Sequence, residues 1–327
     1  MKSTIFAVIL STLLSIILGL LTIPLLRRLK AGQTVLKYVE THKEKNGTPT
    51  MGGLFFILSA TIIFFIFKGY QGRIATVALT IGVSFMFVGF IDDFIKIKYR
   101  RNEGLKAYQK ILFQLSISIV AGVFCYANGI TYFHIPFVNA LYDFGWWTII
   151  IVAVIFIAIT NSVNLTDGLD GLAGGTSVVY LIAISVLISL QRLNLKNVYF
   201  IPEEYDKLIM LSGCLIGGIL GFLVFNVPKA KVFMGDTGSL SLGGFIGAIS
   251  ILSSNSLFIP IIGIMFVSSS ISVIIQVIHF KRTKKRVLLM APLHHHFQLK
   301  GYSETQISFC YSLITAFCGL ICLITYI

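Results

Sequence analysis

The sequence predicts an all-α polytopic membrane protein with ten transmembrane helices. Of its 327 residues, 56% are hydrophobic, and the mean hydropathy is +0.89. Soluble domains are roughly 45 to 50% apolar even when glycine is counted, so this chain is too apolar for a soluble fold. Ten apolar runs approach the ~20 residues that a helix needs to cross a bilayer core. We therefore expect one integral membrane domain over residues 1–327.

The ten predicted spans are joined by mostly short connections. In chain order they cover residues 5–26, 51–67, 74–91, 111–128, 146–163, 172–190, 208–225, 238–253, 259–279 and 307–326. The first run lacks the basic start and the small-residue cleavage site of a signal peptide, so we expect it to be retained. Residues 132–144 carry no Lys or Arg and predict a short outer hairpin between spans four and five.

The distribution of positive charge predicts the orientation in the membrane. All but six of the 26 Lys and Arg residues lie in one set of alternate loops. Loops rich in Lys and Arg favour the cytoplasmic side, so both termini are predicted to lie outside. The net charge of +13 does not predict nucleic-acid binding, because the basic residues are spread over short loops and no nucleic-acid fold is recognisable.

The cysteines and histidines do not predict a structural zinc site. The five cysteines all lie in apolar runs, and their number is odd, so we expect small buried hydrophobic residues rather than disulfides or metal ligands. His294, His295 and His296 are consecutive, so a regular helix cannot aim all three at one ion. The three histidines are better suited to contact a phosphate or pyrophosphate near neutral pH.

Residues 161–175, NSVNLTDGLDGLAGG, form the most unusual polar stretch of the chain. Carboxylates near an apolar segment are costly in a bilayer and usually mark a functional site. If the segment stays helical, Asn161, Asn164, Asp167 and Asp170 recur every three residues and form one polar strip. The alternative is a helix end with Asn and Asp caps and glycine-mediated packing.

Three further aspartates end or begin apolar spans. Asp92 and Asp93, in GFIDDFIK, suit a proton acceptor or a metal contact, or form an interfacial pair with Lys96 and Lys98. Asp236, in VFMGDTGSL, is either a helix N-cap or a metal ligand beside a phosphate-binding helix start. Magnesium prefers one or two carboxylates with substrate phosphates and retained waters, which fits aspartates scattered over several helices.

The polar motifs fall on one predicted side of the membrane, which favours one shared site over separate helix caps. Lysines, flexible glycine-rich loops and carboxylates at the inner boundary suit phosphoryl transfer between a soluble nucleotide and a membrane-bound acceptor. The sequence therefore predicts a membrane enzyme that acts at the cytoplasmic boundary with the help of a hard metal ion.

Five motifs together resemble a known family. They are GTPTMGG at 47–53, the Asp92–Asp93 pair, NSVNLTDGLDGLA at 161–173, FMGDTGSL at 233–240 and PLHHHF at 292–297. In this order along nearly the whole chain, they look like the phospho-N-acetylmuramoyl-pentapeptide-transferase family. The resemblance implies transfer of phospho-MurNAc-pentapeptide from UDP-MurNAc-pentapeptide to undecaprenyl phosphate, giving lipid I and UMP. It also implies Mg²⁺, a bacterial plasma membrane, a ten-span fold and a homodimer.

The resemblance also implies roles for individual residues. Asp236 would hold Mg²⁺, while Asp92, assisted by Asp93, would orient the lipid phosphate or accept its proton. Asn164 and Asp167 would support the diphosphate and the metal, and His294 and His295 would face the sugar diphosphate. The implied uridine pocket consists of Lys45, Gly168, Leu169, Asp170 and Phe233. The remaining substrate-binding candidates are Asn161, Gln276 and His296.

One position departs from the family pattern, and two rival functions remain. Family members commonly carry Glu after the HHHF or HHHY motif, whereas this chain has Gln298. The rival enzyme is a relative that uses UDP-GlcNAc, although PLHHHF favours the muramoyl-peptide substrate. A transporter would also gather intramembrane carboxylates, but it should show inverted repeats or interrupted spans with charges at the midplane, and the sequence indicates neither.

Overall fold

A computed structural model describes residues 2–28, 47–99, 103–138, 140–193 and 201–326, and most of them are helical. The helices are α1 Lys2–Arg28, α2 Gly53–Ile66, α3 Arg73–Tyr99, α4 Ala107–Ala127, α5 Trp147–Thr166, α6 Leu172–Leu193, α7 Pro202–Asn226, α8 Gly235–Leu252, α9 Ile259–Ile262, α10 Ile264–Thr283, α11 Leu293–Leu299 and α12 Glu304–Leu323. Strands β1 Tyr132–Ile135 and β2 Ala140–Asp143 form an antiparallel pair. The structure confirms an all-α membrane fold and the hairpin between α4 and α5.

Helices occupy all ten predicted spans. Among the described residues, eight helices are long and apolar enough to cross a membrane. The other two are α2, with 14 residues, and α8, with 18 residues that include Asp236 and several serines and glycines. The total of ten spans and the orientation of the chain therefore stay predictions.

The ninth predicted span is interrupted, so the prediction of one continuous helix over 259–279 was wrong. Helix α9 ends at Ile262, and Gly263 serves both as its C-cap and as the N-cap of α10. Pro260 fits the first turn of α9 because its missing N–H has no helical partner there. A Cβ atom at Gly263 would lie 2.7 Å from the carbonyl oxygen of Ile259, so glycine allows the break.

Helix α8 lies at the centre of the bundle, and residues 237–252 on it are all buried. Its glycines allow neighbouring helices to approach its backbone, as small residues do between membrane helices. Gly238 touches Gly53 of α2, and Gly243 touches Thr160 of α5. On α3, Gly89 lies so close to α8 that any Cβ atom there would collide with the carbonyl group of Asp236. The first turn of α8 is thus surrounded by other helices.

All five cysteines are free thiols, as the sequence predicted. Cys125, Cys214 and Cys322 are buried in the apolar interior, whereas Cys310 is exposed and Cys318 is partly exposed. The expected burial is therefore confirmed for the first three and wrong for Cys310, which lies on an outward face of α12.

Gly89→Ala should destabilise the protein by about 1–3 kcal/mol, because the added methyl group must push α3 away from the backbone of α8. Thermal unfolding of the detergent-purified protein measures this loss as a lower Tm. The control is Gly175→Ala on α6, where the nearest atom to a new Cβ is 3.4 Å away. Equal Tm values for the two variants would contradict the tight α3–α8 contact.

Candidate active site

Three carboxylates meet where the end of α3 approaches the start of α8. Asp92 and Asp93 come from the last turns of α3, and Asp236 comes from the first turn of α8. One oxygen from each carboxylate lies within 4.8 Å of the others. Asp92 and Asp93 are buried, and Asp236 is partly buried. Such like charges need a cation or strong hydrogen bonds to remain ionised together.

Two lysines supply positive charge to this acid cluster of Asp92, Asp93 and Asp236. The Lys96 Nζ atom lies 2.6 Å from Asp92 Oδ2 and 3.0 Å from Asp236 Oδ2. The Lys110 Nζ atom, from α4, also lies 3.0 Å from Asp236 Oδ2. The expected ion pair between Asp92 and Lys96 is present. It is not a simple surface pair, because Lys96 also contacts Asp236 on α8. Lys98 lies over the ring of Tyr99 instead.

Asp93 stabilises the start of α8. Its Oδ2 atom accepts hydrogen bonds from the Thr237 backbone N–H at 2.9 Å and from Thr237 Oγ1 at 2.7 Å. The alternative of Asp236 as a helix N-cap was therefore wrong, because Met234 holds that position and makes no side-chain cap. Asp93 Oδ1 is buried and has no hydrogen-bond partner among the described residues; the ammonium group of Lys96 lies 3.8 Å from it.

The glycine-rich motif at 47–53 lies along the segment that precedes α8. Phe233 N donates to Pro49 O, and Gly52 N and Gly53 N donate to Phe233 O and Met234 O, over 2.8 to 3.0 Å. Gly235 has a φ of +73°, which favours glycine. A Cβ atom there would lie 2.5 Å from Asp93 Oδ2, so the glycine leaves room for that carboxylate.

Helix α5 brings one of its two candidate asparagines to the acid cluster. Asn164 Nδ2 donates to Asp236 Oδ1 at 2.7 Å and to Ser239 Oγ at 2.8 Å. Asn161 Nδ2 instead donates to Gln114 Oε1 at 2.7 Å and to the carbonyl oxygen of Ile157. Because α5 ends at Thr166, the helical strip predicted to continue to Asp170 was wrong beyond that residue.

Asp167 is the residue that follows α5, and the charges of the acid cluster act on its carboxyl group. Burial, together with the negative charges of Asp236, Asp93 and Asp170, raises the pKa of the Asp167 carboxyl well above its ordinary value. A bound cation would favour its ionised form. The charge of Asp167 is thus coupled to that of the cluster, while its role in supporting the diphosphate and the metal stays a prediction.

The rest of the loop between α5 and α6 is held by partners far along the chain. Asp170 Oδ2 accepts from Ala230 N at 3.1 Å, while Asp170 N donates to Glu304 Oε2 at 3.1 Å. Gly171 has a φ of +74° and donates its N–H to Asn226 Oδ1. These contacts bring the loop next to the segment that carries Phe233.

His294 joins the PLHHHF motif to this loop. Its side chain is buried, and its Nε2 atom lies so close to Gly168 that a side-chain carbon would not fit there. Neither ring nitrogen has a hydrogen-bond partner among the described residues. Burial first, and the neighbouring His295 second, lower the pKa of His294 to about 3. The ring is thus neutral near pH 7 and can donate one hydrogen bond and accept another.

The other candidates near this motif make contacts that orient the chain. Gln298 Oε1 lies 3.1 Å from His295 Nδ1, and His296 Nδ1 accepts from Leu289 N at 3.2 Å. Gln276 Oε1 accepts from the backbone N–H groups of Val287 and Leu288. Gln276 thereby holds the 287–288 segment, so its side-chain amide is already engaged.

The predicted uridine pocket is only partly described. Phe233 is half-buried, whereas Leu169 is buried in a small apolar cluster with Leu172, Met265, Ile307 and Tyr311. Lys45 lies outside the described residues. Of the other members, Asp170 contacts Ala230, three residues before Phe233, and Gly168 packs against His294.

The donor set of the acid cluster fits a hard divalent cation. Its ligands are carboxylate oxygens on two helices, and Mg²⁺ prefers one or two carboxylates together with phosphates and waters. Three carboxylates face two ammonium groups here, and Asp93 Oδ1 accepts no hydrogen bond from the described residues. A cation bound at Asp236 would compete with Lys96 and Lys110 for its Oδ2 atom, so both lysines would have to turn away.

Sequence reasoning missed several residues that shape this site, above all Lys110, Thr237 and Glu304. Lys110 is one of several basic residues in its loop, so composition did not distinguish it. Thr237 followed a noted aspartate, but its partner lies 144 residues away. Local pattern carries no signal for such pairings.

Comparison with known proteins gives the family of this chain. A family model described as glycosyl transferase family 4 matches residues 75–254, and signature 1 of phospho-N-acetylmuramoyl-pentapeptide-transferase matches residues 45–57. A phospho-N-acetylmuramoyl-pentapeptide-transferase of Acetivibrio thermocellus is 39% identical over 98% of this chain and 94% of its own length. The chain belongs to the phospho-N-acetylmuramoyl-pentapeptide-transferase family.

Further relatives of this transferase family match to a similar extent. The protein of that name from Clostridium novyi is 39% identical over 100% of this chain and 97% of its own. That of Bacillus subtilis is 41% identical over 92% of this chain and 91% of its own. The family assignment confirms the resemblance of the five motifs.

Divalent cation should stabilise the protein through the acid cluster. At about 100 times its dissociation constant, Mg²⁺ or Mn²⁺ should add ~2.7 kcal/mol, visible as a higher Tm. Asp93→Asn should shrink this shift, because it removes a buried charge but keeps an acceptor for Thr237. Asp143→Asn, on β2, is the matched control and should leave the shift unchanged. A full shift in Asp93→Asn would exclude Asp93 as a metal contact.

Proposed function

We propose that this protein transfers phospho-MurNAc-pentapeptide from UDP-MurNAc-pentapeptide to undecaprenyl phosphate, forming lipid I and UMP. The observation that carries the proposal is the meeting of Asp92, Asp93 and Asp236 in a chain whose relatives bear the name of that transferase. Mg²⁺ is the proposed cofactor, with Asp236 as its principal ligand and Asp92 and Asp93 beside it. When bound, the metal would neutralise charge on the phosphates.

The proposed reaction is a direct displacement. A phosphate oxygen of undecaprenyl phosphate attacks the phosphorus that carries MurNAc, and the bond from that phosphorus to the oxygen of UMP breaks. If the lipid phosphate arrives protonated, Asp92 accepts its proton. Asp92 is suited to orient this group because its Oδ1 atom is held by Leu105 N at 2.8 Å, which fixes the carboxylate.

Lys96 and Lys110 are proposed to stabilise charge during the transfer. Both ammonium groups lie 3.0 Å from Asp236 Oδ2 and end flexible stems, so each can turn from this carboxylate towards a substrate phosphate. His294 and His295 are proposed to face the sugar diphosphate. A neutral His294 would contribute hydrogen bonds there, not positive charge.

The remaining substrate contacts are proposals of the same kind. Lys45, Gly168, Leu169, Asp170 and Phe233 would receive the uridine nucleotide, with Phe233 stacking on the base. Asn164 and Asp167 would support the diphosphate and the metal. Asn161, Gln276 and His296 would act at the edge of the site; Gln276 can do so through the 287–288 backbone that it holds.

We further propose the finer architecture that the composition predicts. It comprises a single membrane domain over 1–327, ten spans, both termini outside, and a site on the cytoplasmic face of a bacterial plasma membrane. The positive loops support this orientation. A homodimer is proposed from the family resemblance.

The direct test measures UMP release from UDP-MurNAc-pentapeptide, with undecaprenyl phosphate and Mg²⁺, by the purified full-length protein. Asp236→Asn should lower the rate at least 100-fold, since it removes charge from the metal and phosphate region while keeping a hydrogen-bonding side chain. Asp143→Asn should retain wild-type turnover.

The same assay separates the proposed substrate from its rival. Replacing UDP-MurNAc-pentapeptide by UDP-GlcNAc should abolish UMP release. Comparable rates with UDP-GlcNAc would overturn the muramoyl-peptide assignment, and near wild-type turnover by folded Asp236→Asn would overturn the role of Asp236.

Phe233→Ala should weaken binding of a uridine nucleotide roughly tenfold, because base–aromatic stacking contributes about 1–3 kcal/mol. Calorimetric titration of UDP-MurNAc-pentapeptide in the absence of lipid acceptor measures the dissociation constant. Phe309→Ala, an exposed position on α12, is the control. An unchanged constant in Phe233→Ala would remove this ring from the pocket.

A further inference from the structure

The hairpin between α4 and α5 exposes an unusual apolar surface. Tyr142, Phe137 and Val138 are each more than half exposed, as are Trp146 at 54% and Trp147 at 53%. The sequence from 129 to 147 contains one carboxylate, Asp143, and neither lysine nor arginine. A water-facing loop of a stable protein rarely presents so many large apolar side chains together.

The inner face of the hairpin is fixed to the helical bundle. His134 N donates to Ser254 O at 2.8 Å, and Phe137 N donates to Thr325 Oγ1 at 3.1 Å. Phe133 is fully buried, and its ring packs on Phe144 with centroids 5.5 Å apart. The hairpin therefore presents its outer face in a defined direction.

The exposed surface of the hairpin is continuous with helix faces that meet lipid. It connects the end of α4 to the start of α5, both of which qualify as membrane spans. Near the hairpin, α4 exposes Val123 and Tyr126, and α5 exposes Ile150 and Val154. The rings of Trp146 and Trp147 stack at the point where α5 begins, with centroids 4.3 Å apart. Trp and Tyr are the residues that favour the boundary between headgroups and acyl chains.

We propose that the hairpin and its tryptophan pair lie in the interfacial layer of the bilayer, in contact with lipid headgroups and the upper acyl chains. Residues 129–147 carry no Lys or Arg, so the hairpin's own contact with lipid is apolar and dipolar. Arg73 lies beside it, where its guanidinium group contacts Asn128 and covers the Phe124 ring. Helix α5 has 20 residues and spans about 30 Å. Fixing its first residue at one interface therefore sets the depth of Asn164 and Asp167 near the other end.

The two tryptophans are the only ones in the chain, so tryptophan fluorescence reports on this hairpin alone. The full-length protein is reconstituted in phosphatidylcholine bilayers that carry bromine either near the headgroup end or near the middle of the acyl chain. We expect strong quenching by the shallow bromine, weaker quenching by the deep bromine and little quenching by aqueous iodide.

A second reporter calibrates the depth. In a Trp146→Phe, Trp147→Phe background, Val154→Trp places one indole about 10 Å further along α5, where the deep bromine should quench best. If iodide quenches the native tryptophan pair strongly and neither brominated lipid quenches it, the hairpin is exposed to water. No quenching by any agent would show that protein covers it, and stronger quenching by the deep bromine would place it below the interface. Each of these three results overturns the proposal.

Discussion

The structure depends on holding three like charges together between two helices that nearly touch. Asp92, Asp93 and Asp236 repel one another, and removing them from water is costly. Lys96 and Lys110 offset this repulsion from α3 and α4, while Thr237 and Asn164 satisfy carboxylate oxygens by hydrogen bonds. These partners make the arrangement stable, yet the three carboxylates outnumber the two ammonium groups, and this excess of acidic groups is what a bound cation would neutralise.

Close backbone packing makes that meeting of charges geometrically attainable. At Gly89, α3 packs directly against the backbone of α8. This contact brings the carboxylate oxygens of Asp92 and Asp93 within 4.8 Å of those of Asp236. Gly235 then turns the chain through a positive φ without obstructing Asp93. The same site thus combines rigid glycine contacts with long, adaptable lysine side chains, which suits a reaction in which phosphates enter and leave.

The sequence predicted much of this site, but not how its members interact. The rarity of acids in apolar runs identified Asp92, Asp93, Asp167 and Asp236, since burial of charge in a membrane needs a functional reason. It did not distinguish Asp236 as a cluster member from Asp236 as a helix cap, because both uses follow the same local pattern. The cap belongs to Asp93, whose partner Thr237 lies in another helix.

Hydrophobicity along the chain by itself determined the membrane class, the helical segments and the hairpin, because burial in lipid and backbone hydrogen bonding act locally in sequence. The five motifs likewise determined the family. Only the tertiary structure decided that Lys110 reaches Asp236, that His294 packs on Gly168 and that the ninth span breaks at Gly263. These outcomes depend on which helices become neighbours and on how closely they approach, and local composition does not encode either quantity.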